Sequence, residues 1–420
     1  MRFLLSTAGS HGDVHPFIAI GRALVARGND AVVSTNPYFE GEITRAGVGF
    51  HASCERIDIR EFMRENPWMH NPFVAAPRLF GRVVLPMMAE AQRRTERLIE
   101  EFRPDAALLH PLCVGGPGVC EQRGVPWASV ALAPITWMSR EEPICTIPVP
   151  FFGVHPPIRG WRVGRRIGLA MMNRLLDTPL NADRKARGLA PVRGHWDVLT
   201  RGGEASLGLW PRALRGRLAD DPAGAVICGF PWYDQSEQDW AERGAIEAFL
   251  AAGAPPVLFT LGTATVHTPG RFFEVAAEVA GRVGRRAVLL VGKGTALPQR
   301  LPHGVAAFGY APFSWIMPRC AASVHHGGIG STGQGLRSGR PTVVTPWSHD
   351  QFDNAARVER VGCSVTVLAR RATAARLEGA LRRVLEEPGF AARAAAVAVE
   401  MSGDGAAAAA ERLEAIGARR

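Results

Sequence analysis

Lysine is almost absent from this chain: of 49 basic residues, all but Lys185 and Lys293 are arginine. The arginines are spread along the sequence, with only short clusters such as Arg162, Arg165 and Arg166. No continuous basic stripe of the kind that tracks a nucleic-acid backbone is present, so nucleic acid is not an expected partner, and the formal charge of +10 suits small phosphorylated ligands or an anionic surface better. The seven cysteines are odd in number and form no CxxC pair, which excludes a disulfide framework and fits reduced thiols. There is no DxD triplet to clamp a diphosphate through Mg²⁺ or Mn²⁺ and no visible metal-ligand constellation, so no metal is expected. No apolar run reaches about 18 residues, and the opening MRFLLSTAGSHGD is too short for a signal peptide. A cytoplasmic protein is expected, with peripheral contact at the inner membrane face left open. A dinucleotide fingerprint is also missing: Gly9 and Gly12 are not followed by a third glycine at the required offset, and no acidic residue closes the second strand.

A length of 420 residues, 47% hydrophobic and 21% charged, is enough for two globular domains. The densest stretch, residues 325 to 354, is HHGGIGSTGQGLRSGRPTVVTPWSHDQFDN. It follows the short apolar run CAASV, and Gly327, Gly328 and Gly330 make a turn that lets a ligand approach the backbone closely. Ser331 and Thr332 open a helix that Gly339 and Pro341 end. A strand, a glycine turn and a helix start offer free N–H groups and a positive dipole end to a diphosphate. The strand TVVTP then delivers Trp347, Ser348, His349, Asp350 and Gln351 to a carboxyl edge, where open α/β sheets bind ligands.

Near the start, RFLLSTAG, SHGDVH, PFIAIGRALVARG and DAVVSTN read as strand, loop, helix and strand, with Pro16 in the first helical turn and Gly28 at the end. This predicts His15 as the cap and Asp13 outside the helix. The segments DAALLH, WASVALAP and EASLGLW add strands to a first sheet; PPVLFTLGTATVHT, RRAVLLVG, VAAFGYAP, CAASV, TVVTP and CSVTVL build a second. Residues 51 to 103 read as amphipathic helix and loop carrying Met63, Trp68, Met69, Phe73, Phe80, Met87 and Met88. In the irregular stretch 134 to 200, Trp137, Met138, Phe151, Phe152 and Met172 either line an adaptable apolar pocket or fill the core under long loops.

The 325 to 354 stretch, with GSHGDVHP at residues 9 to 16 and YAP at 310 to 312, closely resembles the nucleotide-sugar glycosyltransferases of family 1, which include plant secondary-product, sterol, macrolide and glycopeptide, and rhamnolipid-type rhamnosyl enzymes. The resemblance implies an α/β protein of the GT-B architecture: two facing Rossmann-like domains at residues 1–222 and 241–400, a connector at 223–240, and a terminal helix at 401–420 packing back on the first domain. It implies that His326, Gly328, Ser331 and Thr332, with Gly262 and Thr263, hold the donor diphosphate, and that Gly330 and Gly12 also belong to the donor site. Asp350 and Gln351 would hold the sugar, and Tyr310, beside Ala311, stands where the base-stacking tryptophan is common. Gln334 replaces the usual ribose-binding glutamate, which leaves uridine and thymidine donors both open.

Asp13, in the variant loop that has Asp where plant members carry His, becomes the candidate general base, and His11 and His110 are its rivals. A helix cap is the alternative role for Asp13. His15, Trp137, Met138, Phe151, Phe152 and Met172 are the candidate acceptor contacts. The implied reaction is an inverting, metal-independent O-glycosyl transfer from a UDP- or dTDP-sugar co-substrate to a hydroxyl-bearing apolar acceptor, with no prosthetic group, by a monomer or homodimer. A sugar-nucleotide epimerase and a non-catalytic sugar-nucleotide-binding subunit are the alternatives.

Overall fold

Strands such as FLL and VLF, apolar at every position, can only sit in parallel sheets covered on both faces by helices. The computed structural model, which describes residues 1–147, 154–155, 158–234, 240–266, 269–293 and 300–419 (the side chains of 158–159 and 263–264 excepted), contains two such sheets. The first is formed by β1 (Arg2–Ser6), β2 (Asp30–Thr35), β3 (Gly49–Ala52), β4 (Ala106–Leu109), β5 (Trp127–Ala131), β6 (Ala205–Gly208) and β7 (Ala225–Ile227). Their order is β3-β2-β1-β4-β5-β6-β7, parallel throughout. The second holds β8 (Val257–Thr260), β9 (Ala287–Leu290), β10 (Val305–Phe308), β11 (Ala322–His325), β12 (Thr342–Val344) and β13 (Ser364–Thr366) in the order β10-β9-β8-β11-β12-β13, again parallel. In each sheet the chain reverses its direction of travel once, between β1 and β4 and between β8 and β11. A crevice opens at such a point beyond the strand ends, and both crevices contribute to the same cavity.

Two strands depart from the sequence-based expectation. β3 lies in a stretch expected to be helix and loop, and β7 lies inside the expected connector yet pairs with β6. The last helix, Gly405–Gly417, packs along the helix His11–Ala26 and sends Leu413 and Ile416 into the core around Phe3 and Leu24.

A buried ion network ties the two halves together. Glu142 Oε1 accepts from Arg215 Nε at 2.7 Å and faces Arg357 Nη2 at 2.8 Å, while Asp353 Oδ2 accepts from Arg357 Nε at 2.6 Å. The backbone N–H of Cys145 donates to Asp353 Oδ1 at 3.0 Å. Arg357 and Asp353 are fully buried, so this network fixes the first turns of the helix Gln351–Val361 against a loop from the other half.

Candidate active site

The wall expected from sequence to take the donor is built around one imidazole. Gly262 has φ +68°, and a Cβ there would lie 2.3 Å from His326 Cε1; a Cβ at Gly328 would lie 2.5 Å from His326 Nε2. Both glycines are therefore needed to seat the ring, whatever they also allow a ligand. Burial, with His325 and His70 nearby, pulls the pKa of His326 down to about 3, so it is neutral at physiological pH and acts as a hydrogen-bonding group rather than a cation. Its Nδ1 and the Oγ1 of Thr332 are buried without a hydrogen-bond partner. The helix Ile329–Arg337 starts after Gly328, and Gly328, Ile329, Gly330 and Ser331 line the cavity with the N-terminal turn. Thr332 lies beneath that surface, 1% exposed, rather than on it. Thr263 falls in the short helix Gly262–Thr265.

The second loop presents Asp350 and Gln351. Gln351 Oε1 accepts the N–H groups of Trp347 and Ser348 at 2.8 and 3.2 Å, so only its amide nitrogen is left to meet a ligand. His349 takes a left-handed backbone, φ 56°, at the tip of this loop. Desolvation pushes the Asp350 carboxyl up to about 7, against the hydrogen bond it accepts from Asn354 Nδ2 at 2.7 Å, with the charge of Asp13 adding to the rise. Asn354 also donates to Gly327 O at 3.0 Å and so locks the loop that carries Asp350 to the glycine turn.

At the far end, Tyr310 and Ala311 line the cavity, and Glu242 accepts the N–H groups of Gly309 and Tyr310 at 2.8 and 3.0 Å. Lys293 Nζ lies 4.1 Å from the Tyr310 ring centroid. Gln334 donates to Asp234 at 3.4 Å, while its Oε1 is a buried acceptor with no partner, a fit for a ribose hydroxyl. Lys293, Asp234, Glu242 and Asn354 were not found from sequence, because each meets Tyr310, Gln334, the backbone of Gly309 and Tyr310, or Gly327 from far along the chain.

On the opposite wall the expectation for Asp13 needs correcting. The helix begins at His11, not after His15, and Asp13 is its third residue. Asp13 Oδ2 accepts from Ser10 N at 2.7 Å and from Ser10 Oγ at 3.1 Å, a capping box. Gly9, at φ +125°, allows this, since a Cβ there would lie 2.3 Å from that oxygen. The cap uses one oxygen only. Oδ1 stands 3.6 Å from His110 Nε2 at the end of β4. The Leu112 N–H donates to His110 Nδ1 at 3.3 Å, which places the ring proton of a neutral imidazole on Nε2, toward Asp13. Burial lowers the His110 pKa, partly offset by Asp13.

His11 and His15 also line the cavity, as does Gly12, but they turn away from Asp13. His15 Nε2 lies 2.9 Å from Glu42 Oε1, and the three residues His11, His15 and Glu42 bring one ligand atom each within 4.8 Å of one another. The packing of one helix on the next thus brings together a group of potential ligand atoms that no local spacing in the sequence marks.

The apolar wall is also not where the sequence put it. Trp137 is fully buried against Trp210 and donates from Nε1 to Ser206 Oγ at 2.9 Å. Met138 packs with Ile144 and Trp161, and Met172 with Phe80 and Leu176; none of the three lines the cavity, so they are core residues. Phe151 and Phe152 lie outside the described residues. The wall is made instead by Phe62, Met63, Leu79, Phe80, Met87 and Met88. Their methionine and aromatic content was visible in the sequence, but the Pro-rich loop drew the assignment away.

The cavity enclosed by these surfaces has a volume of about 1020 Å³ and is lined by both halves of the chain. Residues 276–416 match the family model for the C-terminal domain of erythromycin biosynthesis protein CIII-like proteins. The O-mycaminosyltylonolide 6-deoxyallosyltransferase of Streptomyces fradiae is 30% identical over 94% of this chain and 92% of its own. The crystal structure of a kitacinnamycin glycotransferase superposes with a TM-score of 0.74 at 22% identity, covering 99% of this chain and 98% of the other. A spinosyn rhamnosyltransferase complexed with thymidine diphosphate gives 0.69 at 20% identity, covering 99% and 100%. The fold is thus that of the two-domain GT-B enzymes, and the chain belongs to glycosyltransferase family 1. Within it, the chain is a glycosyltransferase.

Proposed function

We propose that the enzyme transfers a sugar from a UDP- or dTDP-sugar to a hydroxyl of an apolar acceptor, with inversion and without a metal at the diphosphate. The observation that carries this reading is that Asp13 and Asp350 line one cavity from the two halves of the chain, Asp13 on the helix that follows β1 and Asp350 on the loop that follows β12. A sugar held at Asp350 and Gln351 would present its anomeric carbon between the phosphate turn and Asp13. The diphosphate would meet the N-terminal turn of the helix Ile329–Arg337, the Ser331 hydroxyl and the neutral His326. Asp13 Oδ1, the oxygen not used in the cap, would take the acceptor proton as the hydroxyl oxygen attacks, the C–O bond to the diphosphate breaks, and nucleoside diphosphate leaves with the electron pair. His110 Nε2–H would orient that oxygen.

A wall of methionine and aromatic side chains supports an apolar acceptor, in keeping with the relative named for 6-deoxyallosyl transfer to O-mycaminosyltylonolide. The test is Asp13→Asn, which keeps the shape and removes the base: kcat should fall by about 10²- to 10⁴-fold with donor affinity little changed. Product formation is followed by mass spectrometry with UDP-glucose and dTDP-rhamnose against phenols, sterols, macrolides and hydroxy fatty acids, with EDTA expected to leave the rate intact. An unaltered kcat in the variant removes Asp13 from the mechanism.

A further inference from the structure

We propose that His11, His15 and Glu42 form a binding site for a borderline divalent transition-metal ion of the zinc class. His11 and His15 are one turn apart on the helix His11–Ala26 and so share a face. Glu42, from the helix Glu40–Arg45, is buried beneath them with Oε1 2.9 Å from His15 Nε2. One ligand atom from each lies within 4.8 Å of the others. Ligand atoms at about 2.0–2.1 Å from a tetrahedral zinc sit roughly 3.4 Å apart, so small ring rotations bring this group to coordinating distance.

Two imidazoles select zinc, nickel, cobalt or copper over magnesium or calcium. Three protein ligands leave a fourth position open, and because all three residues line the cavity, the ion has a path in and an exchangeable ligand on that side. The supporting shell is present too. The Tyr233 hydroxyl is hydrogen-bonded to Glu42, and the rings of Tyr38 and Phe39 stand edge-on to His11 with centroids at 5.8 and 5.0 Å.

The site is separate from the transfer chemistry proposed above and does not rest on it. At 100° per residue, Asp13 is turned about 160–200° from the two histidines, toward His110. An ion at His11, His15 and Glu42 leaves the capped carboxylate where it is.

The experiment uses the full-length, untagged protein stripped with a chelator. Zn²⁺ is titrated by calorimetry and Co²⁺ by its visible absorption, with millimolar Mg²⁺ as a competitor. One equivalent of Zn²⁺ is expected to bind, Mg²⁺ should not compete, and His15→Ala, Glu42→Gln and the milder His11→Asn should each weaken binding by about tenfold or more. His303→Ala, at an exposed position elsewhere, serves as the control and should bind as the parent does. Circular dichroism identifies any variant that fails to fold, and the comparison then rests on the others. Zinc binding unchanged in the folded variants, or no stoichiometric binding by the parent, overturns the site and leaves it a close His15–Glu42 ion-pair contact.

Discussion

Mild acid should destabilise this protein through the two adjacent histidines that seat the donor side. Burial holds His325 at about 4 and His326 at about 3, against an ordinary value near 6.5, and the two residues are 1% and 9% exposed. Both stay neutral in the folded state while the unfolded chain takes up protons below about 6.5. Stability is therefore complete above that pH and is lost as pH falls. Each group costs about 1.4 kcal/mol per pH unit in this window, or about 2 kcal/mol between pH 6.5 and 5, hence about 4 kcal/mol together. Asp350 acts in the opposite direction. Its carboxyl, raised to about 7, keeps a proton that the unfolded chain has released, so acidification stabilises the fold by roughly 2 kcal/mol over the same interval. The net expectation from these three groups is a loss of about 2 kcal/mol, large beside a total of about 5–15 kcal/mol, and His70, His110 and His349, whose pKa values burial also lowers, add to it in the same direction. Urea denaturation at the two pH values measures it. His326→Asn removes one titrating ring and should shrink the loss by about 2 kcal/mol. A variant with the same pH slope as the parent would refute the reasoning.

Three further expectations follow from the same geometry. As pH rises through about 7, Asp350 ionises and becomes a stronger acceptor for sugar hydroxyls, so the donor KM should fall between pH 6 and 8 in the parent and stay flat in Asp350→Asn; parallel profiles would exclude it as a sugar contact. Met88→Ala should raise the acceptor KM about tenfold, at roughly 0.8 kcal/mol per methylene removed from contact, and leave the donor KM alone; a change confined to the donor would move the acceptor elsewhere. Glu142→Gln leaves the fully buried Arg357 with less compensation and should lower the denaturation midpoint by the equivalent of about 3 kcal/mol, whereas an unchanged midpoint would show the network to be dispensable.

Eleven of the thirteen strands among the described residues were legible as apolar runs, because a parallel strand buried on both faces must be apolar at nearly every position. The two that escaped are the edge strands of the first sheet. β3 has the sequence GFHA and no fully buried residue, and β7 is three residues long. An edge strand has one neighbour, and its side chains are partly exposed, so neither periodicity nor hydrophobicity marks it against a loop. The start of the first helix was misplaced for a different reason. Pro16 was read as a first-turn proline, yet it sits inside the helix, while the true start is set by the reciprocal bonds of Ser10 and Asp13. Serine followed three residues later by an acid is a cap signature, and here it competed with the proline signal and won.

The site divides along the same line between local and distant causes. The glycine turn at 327–330 could be found because its glycines, histidine and helix start are contiguous, although the space for His326 is also left by Gly262 and the turn is held by Asn354. What could not be found is everything that depends on which surfaces meet. Trp137 and Met172 have the composition of a pocket and the position of a core. Met63, Phe80 and Met88 have the composition of a core face and the position of a pocket wall. Hydrophobic side chains drive burial without direction, so composition alone cannot say whether the apolar surface they cover belongs to the protein or to a ligand. The partly used groups are more informative. Asp13 has one oxygen in a cap and one toward His110, Gln351 has its oxygen in a loop and its amide nitrogen left over, and Gln334 has its nitrogen on Asp234 and an orphaned oxygen. A buried polar atom without a partner is costly. Gln334 Oε1 and His326 Nδ1 are two such atoms on residues that line one cavity of about 1020 Å³, and a polar ligand lying in that cavity would relieve the cost at each of them.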